Sequence, residues 1–398
     1  SYIKTMKLTL QIKLLPDQLQ AKILESTLRE VNRVCDEISQ TAWEKKTFNH
    51  VRLHHLVYHP IKHSTLLSAQ TIVRALAKVS DAYKLDHKTL RRFKPLGSIA
   101  YDSRILSYNI KARTVSIWAI NGRIKGLPFV CHNEKLLPYI KGEADLVTKK
   151  GKWYLFQTVE VPEEKVRDVE DFIGVDFGLK NIVTLSTGKR LSGKQLEQYR
   201  IKCQRVRSQL QSKGTKNSKR VLKRLSGRER RTAHVINHTI AKRIVKMTKE
   251  QNKGIALEDL KGIRQSANNK GKVFRSHVGR WNFSDLRAKI EYKARLAGVP
   301  IVLVPPAYTS QTCNSCKHLG SRVGESFSCQ CGNSQHADVN AARNIRLLGR
   351  IVNRPNESQA LRVVFLGIVR GSKPSALTDG SLWRVGSFYN KATLLHVE

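Results

Sequence analysis

The sequence predicts a multidomain protein of mixed α/β and β class, in which a small β-barrel carries a helical insert and precedes an α/β unit. Three observations predict this organisation. Residues 99 to 161 contain short strand-like segments and turns without a helical period. Residues 17 to 95 have helical periodicity and follow one alternating segment. From residue 172 onward, short apolar segments alternate with helical stretches, and four cysteines lie among them.

The charge of the chain indicates its partner class. The 398 residues include 72 Lys and Arg against 31 Asp and Glu, which gives a net charge of +41. Such an excess repels itself in a compact fold, so we expect a polyanionic partner and favour nucleic acid over a membrane. No stretch of 18 apolar residues predicts a membrane-spanning helix, and the alternating N-terminus does not resemble a signal peptide.

The N-terminal elements follow from apolar spacing. The alternating residues Met6 to Leu14 predict a half-buried strand, and Asp17 is placed to cap a helix that runs to about Trp43. A second helix is predicted from Ser68 to Tyr83. Later strands are expected at Val115–Ile117, Leu127–Val130 and Trp153–Val161.

The C-terminal half has a different pattern. Short strands are predicted at Ile173–Val175, Ile255–Leu257 and Ile301–Val304. Helices are predicted from about Ser284 to Ala297 and from about Asp338 to Leu348. Residues 351–398 have little periodicity, so we expect a flexible tail.

Three acidic residues lie where predicted strands end or a helix begins. Asp176 and Glu258 directly follow two of the strands, and Asp338 opens a helix. Carboxylates that converge at strand ends can hold two Mg²⁺ ions about 3.5–4 Å apart for phosphodiester cleavage. The alternative is ordinary: each acid alone is more often a turn or cap residue, and Asp338 can simply cap its helix. The coincidence of three such acids in a strongly basic chain favours the metal site.

Four of the seven cysteines predict a metal centre. Cys313, Cys316, Cys329 and Cys331 lie within 19 residues, and four thiolates can close a tetrahedral zinc site. The second pair is CxC instead of CxxC, so His318 or His336 can alternatively replace one thiolate, and buried free cysteines are the remaining alternative. A single metal site and scattered other cysteines suit a reducing cytoplasm.

One segment is a candidate for phosphate contact. Residues 202–231 contain 12 Lys and Arg and a single acid, Glu229. A solvated helix face is the alternative, but this density favours contact with phosphates. The candidate side chains are Lys219, Arg220, Lys223 and Arg224. His234 and His238 lie one helical turn apart without an HExxH motif and are interpreted as packing residues or phosphate contacts.

The ordered motifs resemble those of the TnpB family of transposon-encoded proteins. Gly174 to Asn181 resembles the first RuvC motif of that family, Leu257 to Ile263 the second, and Ala337 to Ile345 the third. Trp281-Asn282-Phe283 with Glu291 to Ala294 resembles the helix after the second motif, and Tyr308 to Cys313 resembles the entry to its zinc ribbon. The resemblance covers roughly residues 5–350.

The resemblance implies a domain plan: an RNase-H-like RuvC nuclease domain with an inserted zinc ribbon, and a wedge β-barrel with a helical recognition insert. The implied ranges are 1–16 and 99–165 for the wedge barrel, 17–98 for the recognition domain, 166–307 and 337–350 for the RuvC domain, 308–336 for the zinc ribbon, and 351–398 for the tail.

The resemblance also implies an activity: RNA-guided cleavage of double-stranded DNA beside a short adjacent motif. Asp176, Glu258 and Asp338 are then the catalytic ligands of two Mg²⁺ ions, and the four cysteines hold one structural Zn²⁺. The implied partners are a guide RNA derived from the transposon end and target DNA, with one protein monomer favoured per guide, in a prokaryotic cytoplasm at the nucleoid. Base pairing then supplies sequence choice while protein reads shape and a short motif.

Three alternatives stay open from sequence. A nuclease-silent RNA-guided regulator would bind without cutting, a transposase would join strands itself, and a simple module would only bind RNA. The intact acids favour cleavage over both binding-only alternatives, and no HUH pair with a downstream tyrosine supports strand transfer. Lys317, where the family often has glycine, and the CxC pair depart from the family pattern.

Overall fold

The computed structural model describes residues 4–178, 180–259, 283–306 and 308–353. The chain divides into two compact units, one ending at Glu163 and the other beginning at Glu164. Across these ranges, no helix is both long enough and apolar enough to cross a bilayer. The sequence motif residues Leu260 to Ile263, together with Trp281 and Asn282, lie outside them.

The first unit is built on an antiparallel sheet. Its strands are β1 (Thr5–Leu14), β2 (Ile99–Tyr101), β3 (Leu106–Asn109), β4 (Thr114–Ala119), β5 (Gly122–Cys131), β6 (Ile140–Lys149) and β7 (Lys152–Pro162), with a 3₁₀ turn at Glu134–Tyr139. The order across the sheet is β2-β6-β7-β1-β5-β4-β3. The two edge strands are consecutive in the chain and separated only by residues 102–105, a span of at most about 18 Å. The sheet therefore curls nearly into the expected barrel, and β1 pairs with β7 along its whole length, as a strand of that barrel.

Three helices fill the insert between β1 and β2. They are α1 (Gln18–Glu44), α2 (His50–Ser64) and α3 (Ala69–Leu85). Asp17 caps α1 as predicted, because its carboxylate accepts from the Gln20 amide at 2.7 Å. The helix predicted from Ser68 to Tyr83 is confirmed as α3, with Ser68 as its cap.

Helix α2 was absent from the sequence-based prediction. Pro60 lies in its interior and lacks an amide donor, which normally disfavours a helix. The helix forms because Leu53, Val57 and Ile61 recur every fourth residue and are buried. Tertiary packing of that apolar face outweighs the missing hydrogen bond.

The second unit is built on a mixed five-stranded sheet. Its strands are β8 (Phe172–Asp176), β9 (Asn181–Leu185), β10 (Arg190–Ser192), β11 (Gly254–Glu258) and β12 (Ile301–Val304). The order is β10-β9-β8-β11-β12. Strands β8, β11 and β12 run parallel, whereas β9 and β10 are antiparallel hairpin neighbours. Parallel neighbours need long crossovers, and helices supply the first of these here.

Helices pack on both faces of this sheet, and the described part of the second unit contains five helices. They are α4 (Lys194–Lys213), α5 (Lys216–Leu225), α6 (Arg228–Glu250), α7 (Phe283–Leu296) and α8 (Ala337–Asn353). The basic segment 202–231 is thus divided among α4, α5 and α6, which are separated at the left-handed residues Gly214 and Gly227. Helix α8 extends to Asn353, beyond the predicted end; the rest of the expected tail lies outside the described ranges.

Helix α8 approaches the sheet closely because of a glycine. A Cβ on Gly174 of β8 would lie 1.9 Å from the Ala342 carbonyl oxygen and 2.5 Å from the Arg346 amide nitrogen. No side chain larger than hydrogen fits there. Phe172 and Ala256 pack on the α8 side, whereas Ile173 and Val175 pack toward α6 and α7.

The four cysteines lie in turns beside a small antiparallel sheet between β12 and α8, two before its first strand and two between its last two strands. Its strands are β13 (Ser321–Val323), β14 (Ser326–Ser328) and β15 (Ser334–His336). We call residues 308–336 the cysteine ribbon. Its small core contains only Cys313, Phe327 and Ala337, with two further cysteines packed against it, so apolar burial alone supplies little stability.

Candidate active site and metal centre

Strand alternation places the acids on one face. Side chains alternate along a strand, so Asp176 lies on the same face as Gly174, and Glu258 on the same face as Ala256. That face carries α8, whose first turn contains Asp338. Val175 pairs with Leu257 in the parallel register, which sets the two following acids side by side.

The three carboxylates interact electrostatically. Burial raises the pKa of Asp176 well above its usual value, and the negative charges of Glu258 and Asp338 raise it further. The Asp338 carboxylate also reaches the loop after β8, since a Cβ on Gly178 would lie 3.7 Å from its Oδ2. Burial raises the pKa of Glu258 to about 7. A site that disfavours its own negative charge in this way is suited to a cation, and carboxylate oxygens suit Mg²⁺.

Two residues that sequence reasoning missed contact the acids. Arg322, on β13, pairs with Asp338 through Nη2 and Oδ1 at 3.1 Å and opposes the rise in the pKa of Asp176. Thr309 donates from its hydroxyl to Glu258 Oε1 at 2.6 Å. No local sequence signal marks either residue, because each meets its partner only through the fold.

Asp259, the neighbour of Glu258, belongs to a different arrangement. Its Oδ1 pairs with Arg287 Nη1 at 2.9 Å, and Arg287 also binds Glu291. Of the two adjacent acids Glu258 and Asp259, Asp259 is therefore the one that binds α7 and has a structural role.

The four cysteine sulfur atoms form one cluster. All four lie within 4.8 Å of one another. The Sγ atoms of Cys313 and Cys331 are 3.7 Å apart, and those of Cys316 and Cys329 are 3.5 Å apart. A tetrahedral site with 2.3 Å Zn–S bonds has edges of about 3.8 Å, so the donor set fits Zn²⁺. The CxC spacing thus brings both of its thiols into the cluster.

The surroundings of the thiols favour an anion at one of them. Burial alone would raise the pKa of the Cys313 thiol, but hydrogen bonds from Asn333 and from the Cys316 and Ser315 amides lower it to about 6. Burial raises the pKa of the Cys316 thiol to about 12. These values describe a cluster that gains from a cation shared by all four sulfur atoms.

Neither candidate histidine joins the cluster. In the described part of the chain, the four cysteine sulfur atoms form this group without a histidine nitrogen. His336 accepts from the Asp338 amide at 3.2 Å through Nδ1 and lies 3.9 Å from Glu325 through Nε2. The alternative in which His318 or His336 replaces a thiolate has no support in this geometry.

The basic candidates lie on α5. Lys219, Arg220, Lys223 and Arg224 are all exposed, and none forms an ion pair with a carboxylate in the described ranges. His234 and His238 contact each other, with their Nε2 atoms 3.1 Å apart, and Tyr292 packs near His238.

Two family models match the chain, over ranges that begin near the end of β6 in the first unit and end within α8 of the second. Residues 147–263 match the model described as "Probable transposase". Residues 283–345, which span α7 and the cysteine ribbon, match the model described as "Cas12f1-like, TNB domain".

Curated proteins of known family are similar over part of their length. The chain is 31% identical over 221 residues to a CRISPR-associated endodeoxyribonuclease Cas12f1 of Sulfoacidibacillus thermotolerans, covering 50% of this chain and 51% of that protein. It is 31% identical over 174 residues to a TnpB-like protein of Methanocaldococcus jannaschii, covering 40% and 62%. It is 30% identical over 227 residues to a putative RNA-guided DNA endonuclease of Escherichia coli K12, covering 51% and 55%. The chain thus matches about half the length of these relatives.

A solved structure has a similar fold. The protein chain in a cryo-EM structure of a Cas12f1-sgRNA-target DNA complex aligns with a TM-score of 0.57 and 14% identity, covering 86% of this chain and 99% of that one. At this identity the similarity concerns the fold alone.

Proposed function

We propose that this chain, which belongs to the TnpB family, is an RNA-guided DNA endonuclease with a RuvC-type site. The observation that carries the proposal is the placement of Asp176 and Glu258 at the ends of two paired parallel strands, on the face that carries the helix with Asp338, where the three negative charges act on one another. The names of several relatives include RNA-guided or CRISPR-associated DNA nuclease activity.

The three carboxylates would hold two Mg²⁺ ions. When bound, such ions stabilise the attacking and leaving oxygens of phosphodiester hydrolysis. The chain contributes the geometry: β8 and β11 fix two acids in register, and α8 fixes the third. Three carboxylates supply fewer ligands than the octahedral shells of Mg²⁺ require, so positions remain for water and phosphate oxygen.

Arg322 would change partner during the reaction. In the free protein its guanidinium pairs with Asp338. A guanidinium beside metal-bound carboxylates is well placed to bind a phosphate oxygen in two-point geometry. We assign Arg322 the role of substrate positioning on this basis.

The cysteine ribbon would hold one Zn²⁺ through Cys313, Cys316, Cys329 and Cys331. Four protein thiolates leave no open position, so the metal would be structural. The ribbon also carries Arg322. Its folding would therefore determine whether that guanidinium reaches the acids.

The nucleic-acid partners would be a guide RNA from the transposon end and double-stranded target DNA. The net charge of +41 favours a polyanion, and the exposed cations of α5 are candidates for phosphate contact. The barrel and its helical insert would serve as wedge and recognition domains that read a short adjacent motif. One monomer per guide, acting at the prokaryotic nucleoid, completes the proposal.

Redirection of cleavage tests this proposal. The protein is purified with its copurifying RNA, which is sequenced, and the variable end of that RNA is then replaced. Cleavage should move to a DNA site that matches the new guide, provided the adjacent motif is kept, because base pairing selects the sequence. Cleavage that ignores the guide, or survives RNase treatment, would identify a plain nuclease. Guided binding without cleavage would identify a regulator.

A further inference from the structure

A short segment joins the carboxylates to the thiols. We call residues 308–314, from Tyr308 to Asn314, the linking loop. Near its start, the Thr309 hydroxyl donates to Glu258 Oε1 at 2.6 Å. Near its end, Cys313 contributes its sulfur atom to the metal-binding cluster. Only three residues separate the two contacts.

Two asparagines of α8 hold the linking loop. Asn344 donates from Nδ2 to the carbonyl oxygens of Thr309, at 2.9 Å, and Thr312, at 2.7 Å. Asn340 donates to the Thr312 carbonyl at 2.7 Å and accepts from the Asn314 amide at 2.9 Å. Both asparagines are fully buried, where an unpaired carbonyl would be costly, so these bonds fix the path of the loop.

The loop is also connected to the ribbon. Asn333 donates to Cys313 Sγ and to Asn314 Oδ1, each at 3.1 Å. Gln335 donates to Asn340 Oδ1 at 3.0 Å. Two ribbon side chains therefore contact the groups around the linking loop: Asn333 binds the Cys313 thiol, and Gln335 binds Asn340 of α8.

The backbone at the start of the loop is strained. Tyr308 has a φ of 58°, a left-handed conformation that a bulky aromatic residue rarely adopts. Such a conformation persists where surrounding contacts over-determine it. Its carbonyl accepts from the amides of Gln311 and Thr312, both at 3.0 Å, which closes the loop into a tight turn.

We propose that Thr309 is a positioning residue for Glu258, and that Asn340 and Asn344 couple its placement to the folding of the cysteine ribbon. The Thr309 hydroxyl occupies one lone pair of Oε1 and thereby orients the carboxylate toward the metal-binding face. The folded cysteine ribbon then acts on the carboxylate site through this chain of hydrogen bonds, and a Zn²⁺ held by its four thiolates would support the carboxylate site by keeping the ribbon folded. The inference rests on the proposed use of Glu258 as a metal ligand.

Thr309→Val and Thr309→Ser test the first link. Valine has nearly the shape of threonine without the hydroxyl, whereas serine keeps the hydroxyl. The zinc-loaded protein is titrated with Mn²⁺, and the paramagnetic signal of the free ion reports how much Mn²⁺ is bound. The same titration of Asp176→Ala gives the binding at other sites, and the difference between the two is the binding at the carboxylate site. Loss of such a partner typically costs about 10–100-fold in metal affinity, so Thr309→Val should weaken this binding about 10-fold and Thr309→Ser should recover most of it.

Thr248→Val is the matched control for burial. Thr248 is fully buried on α6, and its hydroxyl donates to the Ile244 carbonyl at 2.7 Å. The Thr248→Val variant should lose about as much thermal stability as Thr309→Val, while its affinity for Mn²⁺ stays that of the wild type. Equal Mn²⁺ affinity in Thr309→Val and wild type would overturn the inference and leave the proposed function intact. Absence of any Asp176-dependent Mn²⁺ binding in wild type would overturn both.

A double-mutant cycle tests the second link. Asn340→Ala should weaken Mn²⁺ binding in the wild-type background and have little further effect in Thr309→Val, because both changes act on the same chain of contacts. Asn237→Ala on α6 removes another buried asparagine and should leave Mn²⁺ binding unchanged. Additive effects of Asn340→Ala and Thr309→Val would show that α8 and the ribbon act independently of Glu258, and the coupling would be rejected.

Discussion

The carboxylate site and the thiol site are both clusters of acidic groups in a strongly basic chain, but the protein treats the charged forms of those groups differently. The thiol site brings four sulfur atoms together and lowers the pKa of one of them with amide donors. The carboxylate site gathers three acids whose mutual repulsion and burial raise the pKa of Asp176, with Arg322 opposing. The four thiols are a complete set of ligands for a tetrahedral metal ion, whereas the three carboxylates are too few to fill the coordination shell of Mg²⁺.

The difference teaches what each site is for. A saturated tetrahedron has no coordination position for a substrate, so its metal can only stabilise structure. An incomplete set of hard oxygen ligands leaves positions that water and phosphate can occupy. The same chain segment, from Thr309 to Cys313, contacts both sites.

Breaking the saturated site should have the largest effect. Cys313→Ser should release about one Zn²⁺ per chain and make residues 308–336 sensitive to protease. Structural zinc contributes about 10–16 kcal/mol of apparent binding free energy in small modules, and the ribbon core is too small to replace it. Elemental analysis and limited proteolysis measure the outcome. Cys203→Ser, outside the cluster, is the control, and zinc-free wild-type protein would contradict the prediction.

Breaking the incomplete site should abolish chemistry and spare structure. Asp176→Asn keeps the shape of the side chain and removes one ligand charge. Metal-assisted stabilisation of several kcal/mol corresponds to a rate loss of at least about 10³-fold. Guided DNA binding should remain, since affinity comes from phosphates and base pairing. Cleavage assays and filter binding on the same preparation separate the two, and wild-type cleavage rates in the variant would refute the assignment.

The sequence predicted the candidate metal ligands of both sites but not the residues that contact the carboxylates. The ends of two short apolar segments identified Asp176 and Glu258, because a short apolar run is a local property of the chain. Cysteine spacing identified the four thiols for the same reason. Thr309 and Arg322 were missed because their partners lie 51 and 16 residues away, and no local pattern encodes such a pairing.

The fold shows the same division. Strands β1, β4, β5 and β7, with α1 and α3, follow local periodicity and were predicted, whereas β2, β3 and β6 were not. Helix α2 was missed because Pro60 contradicts the helical pattern locally, while the buried residues Leu53 and Val57 support it only in the packed core. The close approach of α8 to Gly174 also depends on tertiary structure alone.

The pH dependence of stability should test the contrast between the carboxylates, whose pKa the fold raises, and the Cys313 thiol, whose pKa it lowers. The folded state raises the pKa of Glu258 from 4.5 to about 7, so it retains a proton that the unfolded chain releases. Stability of the Mg²⁺-free, zinc-loaded protein should therefore fall as pH rises from about 4.5 through about 7, by on the order of 3 kcal/mol. Added Mg²⁺ should restore it, because the ion binds the ionised, folded form.

Denaturant midpoints across this pH range, without chelator, measure the effect. Glu258→Gln should reduce the dependence and leave the part that arises from the raised pKa of Asp176, whereas Glu250→Gln, at an exposed position of α6, should not change it. A slope of the opposite sign in wild type would mean that the carboxylates are relieved by the protein itself, as the Cys313 thiol is.

The smallest effect concerns the cations. Around the carboxylate site they are paired: Arg322 with Asp338, and Lys180 with Glu325 at 3.2 Å. On α5 the four candidates, Lys219, Arg220, Lys223 and Arg224, form no ion pair with described carboxylates. An unpaired cation that meets a phosphate releases a counterion on binding, whereas a cation already paired within the protein contributes less.

Neutralising the four α5 candidates together should therefore reduce the salt dependence of DNA binding. Each phosphate contact adds about 0.9 to the slope of log K against log salt, so a loss of up to about 3–4 is expected. The matched control neutralises four exposed cations that are paired with carboxylates, Arg29, Arg33, Lys84 and Arg113. That variant loses the same formal charge, so an equal drop in slope would show that total charge, and not the α5 surface, determines binding. An unchanged slope in the α5 variant would make α5 a solvated helix face.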